Sequence, residues 1–169
     1  MSPFLISLFR LIHIVAGVFW VGGVVTVAAF ILPSVGAAGP AGGAVMQQLM
    51  QVRRLPFYLT LSMAFTVLAG AVLLWHDMQA PGWAASGTGI VFSTGATLGL
   101  VAGIIGLTVN KPTADRLSRL AAASQGGTPD PATLAEMQRL RARLAWAAKL
   151  VAVLVLLATA AMAVARYVF

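Results

Sequence analysis

Along the chain, hydrophobic residues gather in four long blocks separated by polar or Gly/Pro-rich breaks. The blocks run from about Phe4 to Leu32, Phe57 to Trp75, Gly89 to Val109 and Leu144 to Ala165. Each is apolar on all sides rather than along one stripe, which predicts a helix surrounded by apolar solvent. About 20 apolar residues, rising roughly 1.5 Å each, cross a hydrocarbon layer about 30 Å thick. The pattern predicts an all-α fold: one integral membrane four-helix bundle over residues 1–169. The runs are too long, and alternate too little, for the strands of a membrane barrel. A cleaved signal peptide accounts poorly for the first block. Arg10 and His13 interrupt it, and no small-residue cleavage site follows at a suitable distance.

The breaks are unequal. Residues 33–56 are rich in Gly, Ala and Pro, then turn into a short amphipathic segment, Ala44–Arg54, before Pro56, which suits the first turn of span two. Residues 77–88 are short and carry one charge. Residues 110–143 form a long polar arm. Pro112 can open a helix through Ala123, and Gln125-Gly126-Gly127 breaks it. Asp130-Pro131 then reads as an N-cap followed by proline at the first helical position. The helix beyond carries Glu136, Arg139, Arg141 and Arg143 and is expected to run on into span four. Met46-Gln47-Gln48-Leu49 before span two faintly echoes Met137-Gln138-Arg139-Leu140 before span four. So short a match fits two hairpins with basic arms, and fits chance equally well.

Charge fixes an expected orientation. There are 11 Lys/Arg against 4 Asp/Glu, a net charge of +7, with only 9% charged residues and a mean hydropathy of +0.93. A soluble domain would carry about 25% charged residues, and disorder would require low hydrophobicity. Arg53, Arg54, Lys111, Arg116, Arg119, Arg139, Arg141 and Arg143 all fall in the first and third breaks. The positive-inside rule places those arms in the cytoplasm, before spans two and four, and both termini on the outer, periplasmic side of a bacterial inner membrane. Phe4, Trp75, Trp83 and Tyr167 then form an outer aromatic belt. The basic excess is read as arms against a lipid bilayer, not as a nucleic-acid surface.

Cysteine is absent, which excludes disulfides, thiolate metal sites, iron–sulfur clusters and c-type haem attachment. No Walker loop, GxSxG, HExxH or paired carboxylate is present, so hydrolysis and phosphoryl transfer have no visible apparatus. The remaining candidates are ionisable groups in or beside the spans, where a charge costs about 2.5–3.5 kcal/mol at mid-span on insertion scales. Arg10 and His13 lie three apart, and helical spacing continues through Gly17 and Trp20. A neutral imidazole can ligate iron or another transition metal. An arginine one turn away can pair with a propionate, and Gly17 would leave room for a flat macrocycle. The competing account has Arg10 snorkelling to the interface and His13 bonding to a neighbouring helix.

His76, beside Asp77, is a possible second ligand or a solvated loop-end pair. In span three, Gly95, Gly99 and Gly103 recur every four residues, followed by Gly106. They predict close helix packing or a smooth face for a porphyrin or quinone. Met63 and Met162 are read as packing residues, and Lys111 and Lys149 as interface anchors.

The segment Leu8-Phe9-Arg10-Leu11-Ile12-His13-Ile14-Val15-Ala16-Gly17-Val18-Phe19-Trp20-Val21-Gly22-Gly23 resembles the first helix of small bacterial membrane proteins of the copper-resistance D-type superfamily. It is more distantly similar to HemJ-type protoporphyrinogen oxidases. Those families share a basic residue, a His and a Trp-Gly-type segment. The resemblance implies a bundle of four or more helices. On the HemJ side it implies haem b or porphyrin handling through the residue matching His13, with Lys111 a rough counterpart of a later-helix lysine. On the copper-resistance side it implies copper uptake.

Three functions follow as expectations. The first is haem b or a related porphyrin or metal held by His13, with Arg10, Gly17 and Trp20 around it and His76 a possible second metal ligand, for electron transfer or porphyrin chemistry. The second is a non-catalytic accessory subunit of a larger respiratory or photosynthetic membrane complex, or a homo-oligomer. The third is metal uptake.

Overall fold

The structure, a computed structural model, describes residues 1–124 and 129–168. The expected break at Gln125-Gly126-Gly127 lies outside the described residues. Helices dominate, and no strand occurs among the described residues. The long helices are α1 (Pro3–Ala37), α3 (Leu55–Asp77), α4 (Gly87–Ala123) and α5 (Pro131–Tyr167); a short α2 (Pro40–Gln47) precedes α3. All four long helices have the length and apolar composition to cross a membrane, so the chain is a multi-pass membrane protein.

Three of these helices outrun the apolar blocks. α1 extends past Leu32, and α4 and α5 are 37 residues each, about 55 Å at 1.5 Å per residue. The prolines do not stop them because the backbone widens just before each one. A π turn at Val27–Ile31 precedes Leu32-Pro33, and another at Gly106–Asn110 precedes Lys111-Pro112. Proline lacks an N–H and crowds the carbonyl one turn back. A wider turn relieves that crowding, so span three continues into the polar arm as one helix. A third π turn, Gln48–Val52, ends α2; Arg54 then takes a left-handed backbone (φ 51°) that redirects the chain into α3.

Three helix starts are capped by side chains, one of them the expected Asp130. Ser2 Oγ accepts from Leu5 N–H at 3.4 Å, and Ser86 Oγ accepts from Gly89 N–H at 3.0 Å. Asp130 Oδ1 accepts from the backbone N–H of Ala132 (2.9 Å) and Thr133 (3.0 Å), the cap expected before Pro131. The two halves of the polar arm are tied by an ion pair between Arg116 on α4 and Glu136 on α5.

α1 packs along α3 and α4 along α5, giving two antiparallel hairpins. They meet around Trp20, Ala102, Val151 and Val155, with a second cluster of Ala28, Ala148 and Ala152 nearer the arms. The core is mostly alanine and valine. In lipid there is no hydrophobic drive to join helices, and small side chains let backbones approach for van der Waals contact.

The Asp130 carboxyl is held below its ordinary value of 3.8, first by the Thr133 hydroxyl and then by the Thr133 N–H. A depressed folded value means the cap is intact above the ordinary aspartate range and fades as pH falls below it. Protection of the Ala132 and Thr133 amides, measured as exchange relative to the unstructured rate at the same pH, is expected to be greater at pH 7 than below about pH 4. Asp130→Asn is expected to flatten that pH dependence.

Candidate functional site

Of the four residues expected to line a first-helix site, three lie in the α1–α3 seam. His13 Nδ1 is 2.7 Å from the backbone carbonyl oxygen of Thr66. Since a carbonyl only accepts, Nδ1 carries the proton, which leaves Nε2 as the unprotonated nitrogen in the neutral ring. Gly70 makes room for the imidazole: a Cβ there would sit 2.7 Å from Cε1 and 2.8 Å from Nδ1. One turn along α1, the Cβ position of Gly17 faces the Thr66 methyl at 3.5 Å. Trp20, only 5% exposed, belongs to the central core.

The polar side chains of this seam are satisfied within their own helix. Thr66 Oγ1 donates to Ser62 O at 2.7 Å, and Ser62 Oγ donates to Leu59 O at 3.0 Å. Each hydroxyl therefore turns its apolar side to α1, which allows Ser62 and Thr66 to be buried at the interface. A porphyrin does not fit between α1 and α3. The notch at Gly17 is filled by the Thr66 methyl, and the gap at Gly70 is filled by the His13 ring itself. His13 Nε2 makes no hydrogen bond among the described residues, yet it is not sealed from the surface. The ring is half-buried and keeps one free nitrogen at the edge of the seam.

Arg10 does not share the seam. It is exposed and heads a stripe with Ile14 and Val18, which are 60% and 71% exposed. His76 is not brought to His13. It ends α3 with Nδ1 3.2 Å from Asp77 Oδ1, both side chains one-third exposed. The His13 ring sits at Gly70, six residues before His76 on α3. Six residues are about 9 Å along the axis and about two-thirds of a turn around it. Among the described residues, no group of three or more His, Asp or Glu could hold a metal ion.

The glycine stripe of α4 is occupied by neighbouring helices. Cβ positions at Gly95 and Gly99 face α5, at Ala158 O (3.1 Å) and the Ala158 Cβ (4.0 Å) respectively. The Gly103 position meets Met63 Sδ at 3.2 Å and Trp20 at 4.0 Å. Met63 and Met162 therefore fill space beside glycines, as expected of packing methionines. The stripe ends differently: a Cβ at Gly106 would meet nothing within 4 Å among the described residues.

Gly106 opens onto a cavity of about 140 Å³ at the arm end of the bundle, lined also by Trp20, Met63, Ala102, Asn110 and Lys111. A second cleft of about 340 Å³ adjoins it and shares Met50, Pro56, Lys111 and Ala114. Asn110 Oδ1 is buried and has no hydrogen-bond partner among the described residues. Leaving such an acceptor unpaired costs about 1–3 kcal/mol. Lys111 reads from the sequence as an interface anchor, and Asn110 carries no reading there. Its signal was a lone amide at the end of an apolar block, beside Lys-Pro.

Searches of family profiles, curated proteins and solved structures return no match to this chain. The geometry of the seam carries its own test. Gly70→Ala is expected to displace the His13 ring and lower stability in detergent by about 1–3 kcal/mol, the usual penalty of overpacking. His13→Phe keeps a ring but loses the donor, and is expected to cost about 0.6 kcal/mol and at most about 1.7, as for other interhelical bonds in membranes. Thermal or denaturant unfolding of the purified variants measures both.

Proposed function

We propose that this chain is a non-catalytic packing subunit of a larger assembly in the bacterial inner membrane, or of a homo-oligomer. The observation that carries this reading is the engagement of the His13 ring. Its Nδ1 donates to Thr66 O, and its body occupies the space vacated at Gly70. The most unusual intramembrane side chain is thereby committed to holding two helices together. The exposed stripe of α1 lends support: Arg10 lies above Ile14 and Val18 with no ion pair among the described residues. A carboxylate from a neighbouring subunit would complement it.

In the same proposal, the arms between α1 and α3 and between α4 and α5 face the cytoplasm, and both termini face the periplasm. Eight of the cations lie in those arms, as the positive-inside rule requires.

A second reading has one observation in its favour. Donation from Nδ1 to a carbonyl is the outer-shell arrangement that readies Nε2 for a metal, and Nε2 is the open nitrogen. In that reading haem b, or another metal, is held from outside the seam by His13, with Arg10 nearby and the opposite ligand from another chain.

An optical spectrum of protein purified from haem-replete cells separates the two. The packing reading expects no Soret band, recovery with partner chains or as an oligomer, and retained assembly in His13→Ala. A Soret band that His13→Ala abolishes would overturn it in favour of the second.

A further inference from the structure

We propose that the arm end of the bundle holds one anionic glycerophospholipid, its phosphate on Lys111 and Arg119 and part of one acyl chain inside the bundle. The apolar space, a half-open groove of about 140 Å³, is walled almost entirely by apolar side chains, with Trp20 and Met63 at the end away from the arms. That volume is close to an apolar cavity able to take a six-carbon ring, so it accepts about six carbons of a chain. The adjoining cleft, about 340 Å³, is of a different character: Lys111, Asp115, Ser118 and Arg119 line it. Lys111, Asp115 and Arg119 follow one another at four-residue spacing on α4. Lys111 Nζ bonds Asp115 Oδ2 at 2.9 Å, whereas Arg119 has no ion-pair partner among the described residues. The cleft therefore carries one net positive charge, the complement of a phosphodiester.

Asn110 lies next to Lys111, which lines both spaces. Asn110 itself lines the apolar cavity, and its buried Oδ1 lacks a donor among the described residues. A headgroup hydroxyl, as in phosphatidylglycerol, would supply that donor beside the phosphate. Apolar depth and a cationic mouth thus occur in the order of acyl chain and phosphate, and the headgroup glycerol, which follows the phosphate, reaches Asn110 by turning back beside it. The α4 helix is continuous through this region because of its π turn at Gly106–Asn110, which brings Asn110 and Lys111 to the cavity edge.

Trp20 provides the readout. A single-tryptophan protein (Trp75→Phe, Trp83→Phe, Trp146→Phe) in detergent is titrated with phosphatidylglycerol brominated near the head end of its chains. The expected result is saturable quenching of Trp20 at one lipid per chain, reversed by unbrominated phosphatidylglycerol and not by phosphatidylcholine. Lys111→Gln with Arg119→Gln, both on the surface, is expected to weaken the apparent affinity about tenfold, the scale of one charge-assisted hydrogen bond. Gly106→Leu projects into open space and is expected to abolish quenching while leaving the melting temperature intact. Equal quenching by brominated phosphatidylcholine would overturn the proposal. Quenching that survives Gly106→Leu would also overturn it, by showing only lipid around the bundle. Should Gly106→Leu fail to fold, the double charge variant decides alone: unchanged affinity there overturns the proposal.

Discussion

Two helices in lipid gain nothing from hiding apolar surface from one another, since the surrounding chains are as apolar as they are. Their association depends on close contact and on whatever polar groups can be paired across the contact. In this protein the α1–α3 pairing rests on one such group. His13 reaches over to Thr66 O, and it can do so only because Gly70 has no side chain. Gly17 against the Thr66 methyl, and Trp20 near Met63 and Gly103, continue the same contact toward the arm end. The imidazole sets where along α1 the partner helix sits, and the small residues set how near it comes.

In its apolar part the second hairpin is packed by small residues, and its ion pair, Arg116–Glu136, lies out in the polar arm. Gly95 and Gly99 meet Ala158, while Ala148 and Ala152 turn to Ala28 of the first hairpin and Val151 and Val155 to Trp20 and Ala102. Small-residue packing is economical in entropy, because alanine and glycine have no side-chain rotamers to fix. It leaves little room for error, and where the glycine stripe runs out at Gly106 the bundle opens into its cavity.

Much of the fold was legible from the sequence because block length and apolar character are strong signals. Four spanning helices and the Asp130 cap are as expected. The helix ends were not legible. Pro33 and Pro112 read as boundaries, and only a π turn before each lets the helix pass through. The face of α1 was half legible: the spacing of His13, Gly17 and Trp20 marked a real contact surface, but Arg10 turns outward with Ile14 and Val18. What the surface contacts was not legible. A glycine beside a histidine reads equally well as space for a macrocycle or space for a neighbouring helix, and the identity of the neighbour, Thr66, lies 53 residues away.

The α1–α3 seam is decided by the state of one ring. Nitrogen-15 solid-state NMR of the His76→Gln protein in bilayers isolates His13 and reports each ring nitrogen separately. The account predicts a protonated Nδ1, hydrogen-bonded and coupled through space to the Thr66 carbonyl carbon, with an unprotonated Nε2. A proton on Nε2, with no transfer of magnetisation between Nδ1 and Thr66, would contradict it.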